Sequence, residues 1–178
     1  MLDTFKELIV NQFEAVFCTL KTCIDRCPDA AWDAPVANRK FCQVAFHALF
    51  FAVLYLRQNA DALRLQPFHR DHEQFLREYE ELEDRVQVLL YDIPSIKTYP
   101  EHCRKKGAEV IAAETAESLA GPSGFERRTF SRAELHVCNI RHIQHHTAQL
   151  AVETGFPSGH PLDRIRLARG VSYSSWTS

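Results

Sequence analysis

The sequence predicts an all-α fold, a four-helix bundle with a long crossover between its second and third helices. Three observations lead there. Four stretches carry apolar residues at helical spacing, no stretch alternates convincingly with the period of two that marks a strand, and a long, weakly patterned connection separates the second stretch from the third. The nearest approach to a strand is residues 85–90. A length of 178 residues suits one domain built around a single core, expected over residues 1–155, with residues 156–178 as a C-terminal tail holding one helical turn between Leu162 and Ala168.

In the first helix, expected over residues 2–26, Leu2, Phe5, Leu8, Ile9, Phe13, Val16, Phe17, Leu20 and Ile24 recur at helical spacing, and Cys27, Pro28 and Asp29 punctuate its end. Residues 31–35 read as a loop, after which Asn38 is placed to cap a second helix running to about Asn59. Between Asp61 and Asp92 the pattern weakens into a connection with Pro67 and a charged run over residues 78–84, so one or two short helices are expected there. Asp92 then caps a third helix with Pro94 in its first turn, continuing to about Leu119, although Pro100 should kink it or delay its start. Gly121, Pro122 and Gly124 break the chain. Ser131 and Glu134 have the spacing of a capping box and open a fourth helix from about Arg132 to Thr154.

Composition narrows the function classes. With 21 basic against 23 acidic residues, the chain has no basic surplus with which to neutralise a phosphate backbone, so nucleic acid is not an expected partner. The longest apolar run falls short of the roughly 20 residues a spanning helix needs, and the first residues lack the pattern of a signal peptide, which leads to the expectation of a cytoplasmic protein without membrane association. Of the six cysteines, Cys23 and Cys27 lie one turn apart, but not at zinc-knuckle spacing. All six are read as reduced, packing thiols.

The chemistry concentrates in histidine. His142 and His146 are four residues apart on the fourth helix, one turn, so both rings stand on one face and can share an ion. His47 interrupts an otherwise apolar stretch of the second helix, where a buried imidazole needs a partner. Leu135, Cys138, Asn139, Gln149 and Glu153 share the face of the histidine pair and suggest the wall of a polar cavity, whereas His145 points about 100° away. Cys138 and Gln149, each about a turn from the pair, are candidates to support the ligands from behind. Three neutral imidazoles suit Zn, Ni, Fe or Cu better than Mg or Ca, and they leave coordination positions open. No glutamate follows His142, so the zinc-protease motif is absent.

Two segments, Phe41-Cys-Gln-Val-Ala-Phe-His-Ala-Leu-Phe-Phe51 and Asn139-Ile-Arg-His-Ile-Gln-His-His-Thr-Ala-Gln-Leu150, resemble the DinB-like (YfiT-type) superfamily. The resemblance covers residues 2–155 in layout, and its specific part is those two segments. It implies a four-helix bundle that binds one divalent transition metal (Ni, Zn or Fe) through His47, His142 and His146. Among the activities it implies are thiol-dependent S-transfer or isomerisation and metal-dependent hydrolysis, in which a low-molecular-weight thiol or water meets the open metal face. The expected partner is a small-molecule substrate, with a second copy of the chain in a homodimer. The contrasting expectation is a metal-stabilised binding module without turnover, because no acid/base carboxylate can be placed in the site from sequence.

Overall fold

Helices dominate the computed structural model, which describes residues 1–59, 62, 71, 90–126 and 128–153. The short helices expected after Asp61 and the helical turn near Leu162 lie outside the described residues. Helix α1 (Leu2–Arg26) buries Ile9, Phe13, Val16, Phe17, Leu20 and Ile24, while Leu8, expected on the same face, is exposed. It stops where Cys27 turns extended (φ −63°, ψ 121°) before Pro28, a conformation that the proline ring favours in the residue preceding it. A 3-10 turn (Asp29–Ala31) follows, and the Trp32 indole N–H donates to the Tyr91 carbonyl at 2.6 Å, tying this corner to the start of the third long helix.

The next segment corrects one expectation. Asn38 caps nothing; it sits in the turn of a two-stranded antiparallel hairpin, β1 (Pro35–Val36) and β2 (Arg39–Lys40), in which Ala37 takes a left-handed φ of 54°. Strands of two residues are too short to display any alternation in sequence. Helix α2 (Phe41–Tyr55) starts after Lys40, whose backbone N–H is taken by the Gln43 side chain at 2.9 Å, and it is shorter at both ends than expected. Every residue from Phe41 to Phe50 is buried, so α2 is a central helix with no solvent stripe, and Gln43 and His47 are its only buried polar side chains.

Helix α3 (Ile93–Ala113) begins where Asp92 accepts from the Ser95 N–H at 2.8 Å and carries Pro100 within it, so the proline does not delay the start. It ends six residues before Leu119. Glu114 turns extended, and Thr115 opens a separate short helix, α4 (Ala116–Ala120), by accepting from the Ser118 N–H. Helix α5 (Arg132–Glu153) has the anticipated capping box: Glu134 accepts from the Ser131 N–H at 2.8 Å and Ser131 from the Glu134 N–H at 3.2 Å.

Helices α1 and α2 each pack against both α3 and α5, which leaves α1 diagonal to α2. Phe17, Leu20, Phe46, Leu49, Phe50 and Tyr99 fill the space between them, each worth about 1.5–3 kcal/mol in burial. A polar clamp fixes the end of this assembly. Arg132 donates to the last carbonyls around the end of α2 (Tyr55 at 3.0 Å, Leu56 at 2.9 Å, Arg57 at 2.6 Å) and to Glu114 at 2.9 Å. Glu114 also receives His136 Nε2 at 2.9 Å and the Ser118 hydroxyl. Burial pushes the Glu114 pKa up, but the hydrogen bonds from Ser118, His136 and Arg132 outweigh it and leave the carboxyl below its usual range. Burial also holds the His136 pKa down, so this ring is a neutral donor to Glu114 rather than half of an ion pair.

Candidate metal centre

The α2/α5 contact brings His47 opposite His142 and His146. The clamp at one end sets the register, and the one-turn spacing of the α5 pair does the rest. The ring centroids are 5.3 Å (His47 to His142), 4.7 Å (His47 to His146) and 4.6 Å (His142 to His146) apart. The Nε2 atoms converge: that of His142 lies 3.3 Å from His47 Nε2 and 3.1 Å from His146 Nε2, and the three ligand atoms all fall within 4.8 Å of one another. Nitrogens about 2.0–2.1 Å from one ion stand roughly 3.0–3.5 Å apart, so the spacing fits a shared metal.

Hydrogen-bond accounting points the same way. The amide oxygen of Gln149 accepts from His146 Nδ1 at 2.8 Å, which puts the proton on that nitrogen and leaves the Nε2 lone pair facing the other two rings. A neutral imidazole has one donor, so Nε2 of His142 can satisfy at most one of its two close neighbours, and Nδ1 of both His47 and His142 is buried with no protein partner. Lone pairs crowded together without a proton repel. A cation between them removes that cost.

The rings are also in the protonation state a metal requires. Burial pushes the His47 pKa down to about 2, with Arg39 and the other two histidines adding to the shift. His142 is held at about 3, again chiefly by burial, and His146 is lowered by burial although its bond to Gln149 opposes the shift. Three neutral imidazoles, one already oriented by an amide, can hold a transition-metal ion and leave part of its coordination sphere to an exogenous ligand. Among the described residues no carboxylate or thiol joins the cluster.

Of the residues singled out from sequence, His47, His142 and His146 come together and Gln149 supports His146. Cys138, half-buried one turn before His142, does not enter the group of ligand atoms. His145 is exposed on the helix flank, as its angle predicts. Asn139 is not part of a cavity wall: it is fully buried and donates to the Ala52 carbonyl at 2.9 Å, stitching α5 to α2. The sequence pointed to neither Phe51, whose ring lies 4.6 Å from His47 and 5.6 Å from His142, nor Tyr55, at 6.3 Å from His142. Aromatic residues in a largely apolar helix carry no mark of lining a site. A cavity of about 820 Å³ opens elsewhere, beside the clamp, lined by Arg57, Glu114, Ser118 and Arg132 among others and by none of the three histidines.

Fold and site together define a mostly helical protein with a three-histidine group able to hold a metal ion. No family model, curated protein or solved structure matches this chain. No helix of the described residues is long and apolar enough to cross a membrane.

Proposed function

We propose that the protein is a divalent-metal-binding four-helix bundle of the DinB-like (YfiT-type) kind, with a long crossover between α2 and α3, and that its centre activates a low-molecular-weight thiol or water against a small electrophile. The observation that carries this reading is the convergence of three neutral Nε2 atoms from two helices. The two segments resembling that superfamily are those that supply the ligands. A bound Ni, Zn or Fe ion would acidify a thiol or water on its open face. The chain's own part is to present three uncharged nitrogens, to fix the His146 ring through Gln149, and to wall the site with Phe51 and Tyr55.

Elemental analysis of untagged protein should find close to one transition-metal ion per chain. His47→Ala, His142→Ala and His146→Ala should each lose most of it, and His145→Ala should keep it; full occupancy in His47→Ala would remove the triad. With cobalt or nickel substituted, a small thiol should produce a sulfur-to-metal charge-transfer band that His142→Ala lacks. One observation favours a second reading, a metal-stabilised binding module without turnover: among the described residues no carboxylate joins the cluster to serve as acid or base. Thiol- or water-dependent turnover of a model electrophile that disappears with the metal excludes that reading.

A further inference from the structure

Among the described residues, the charged side chains that act on the three histidines are arginines. Arg39 acts on all three rings and Arg128 on His142, and no carboxylate among the described residues contributes to the field at any of them. Three imidazoles add no negative charge, so a divalent ion held there, as proposed above, would keep its full charge within electrostatic reach of two guanidinium groups. A partly desolvated cationic site of this kind is stabilised by an anionic ligand.

Arg128 is held for such a role by a folded loop rather than left on a free surface. Ser123, 1 % exposed, donates through its hydroxyl to the Arg128 carbonyl at 2.6 Å and accepts from the Phe125 N–H at 3.2 Å, and the Arg128 N–H reaches the Phe125 carbonyl at 2.8 Å. Gly124, with φ of 86°, lets this loop press on the chain just beyond α2: a Cβ there would stand 1.8 Å from the Gln58 carbonyl oxygen. From this anchored backbone the Arg128 guanidinium donates to the Tyr55 hydroxyl at 3.1 Å, with Cζ 5.8 Å from that ring's centroid. Tyr55 and Phe51, whose rings are 5.5 Å apart, form a continuous aromatic wall from Arg128 to His47 and His142. One N–H of the guanidinium is used on Tyr55, and no acidic side chain among the described residues pairs with the others.

We propose that Arg128, oriented by Tyr55, selects the ligand of the three-histidine centre: a small molecule that carries a carboxylate beside the thiol or electrophilic group that meets the metal. The planar fork of a guanidinium matches a carboxylate in a way that a lone ammonium does not. This assignment rests on the metal-centre reading given above.

The test uses the full chain loaded with cobalt, titrated with 3-mercaptopropionate and, separately, with the neutral 2-mercaptoethanol, both followed by the charge-transfer band. The wild type should bind the carboxylate thiol about tenfold more tightly, the order expected of one partly exposed charge-assisted pair. Arg128→Gln should remove most of that preference at unchanged cobalt content, and Arg128→Lys should keep more of it than Arg128→Gln does. Cobalt bound with equal affinities, with a preference undiminished in Arg128→Gln, or with neither thiol seen, overturns the Arg128 assignment and leaves the metal centre standing. Failure to bind cobalt overturns both.

Discussion

Gln149 shows how one uncharged side chain decides what an imidazole can do. By accepting from His146 Nδ1 it commits the lone pair of Nε2 to the cluster. Gln149→Leu should leave helix content unchanged and weaken metal binding by about 10–100-fold, the usual cost of losing such a supporting bond; competition with a chromophoric chelator measures it. The three clustered rings also predict an acid response. Their pKa values are lowered by burial in the folded chain, to about 2 for His47 and about 3 for His142, whereas in the unfolded chain a histidine takes up its proton near 6.5. Below that pH the unfolded state holds more protons than the folded one. The stability the rings contribute is therefore complete above about pH 6.5 and is lost on acidification, by at most about 1.4 kcal/mol per pH unit for each ring. Urea midpoints of the metal-free protein should hold level down to about pH 6.5 and fall from there to pH 5; a profile flat throughout would mean that the rings are hydrated.

At the scale of elements, the joint between α2 and α5 matters most, because a shift of either helix would separate His47 from its partners. Arg132 holds that joint through three α2-end carbonyls and Glu114, and Glu114 is available only because α3 ends at Ala113 and the next residue turns extended. Glu114→Ala should cost about 3–5 kcal/mol, since it leaves the Arg132 charge buried beside a neutral His136. Ser131→Ala, which loses only an exposed cap, should cost about 1 kcal/mol. Equal costs in urea unfolding would show that the clamp adds nothing beyond ordinary capping.

For the molecule as a whole, the core does not depend on the metal. The buried aromatic and aliphatic residues of α1, α2 and α3 form a core of their own, so an ion bound by the three histidines would stabilise a fold that already exists. Chelator should lower the melting temperature and leave most of the helical circular dichroism intact. Collapse of the helical signal on chelation would make the site structural in the manner of a zinc finger.

Periodicity and capping signals were enough to place α1 within a residue and the caps of α3 and α5, and to single out His142 and His146 as a pair, because each is a local property of a helix: an apolar stripe, a cap two or three residues away, two rings one turn apart; His47 stood out as the polar residue of an apolar stretch, but its meeting with the pair spans 95 residues and is a matter of packing. What sequence did not reveal was either too short to show a pattern, as in the hairpin around Asn38, or dependent on partners far along the chain. Asn38 looked like a cap and lies in a hairpin turn, α3 stopped at Ala113, and Asn139 proved to be an inter-helix tie rather than a cavity wall. Arg132, Glu114 and His136 meet across 18 to 22 residues, and Arg128 meets Tyr55 across 73. A charged residue in a sequence does not say which charge it will face. Only the packing of α5 against α2 sets the distances between imidazoles, the desolvation that keeps them neutral, and the arginines beside them.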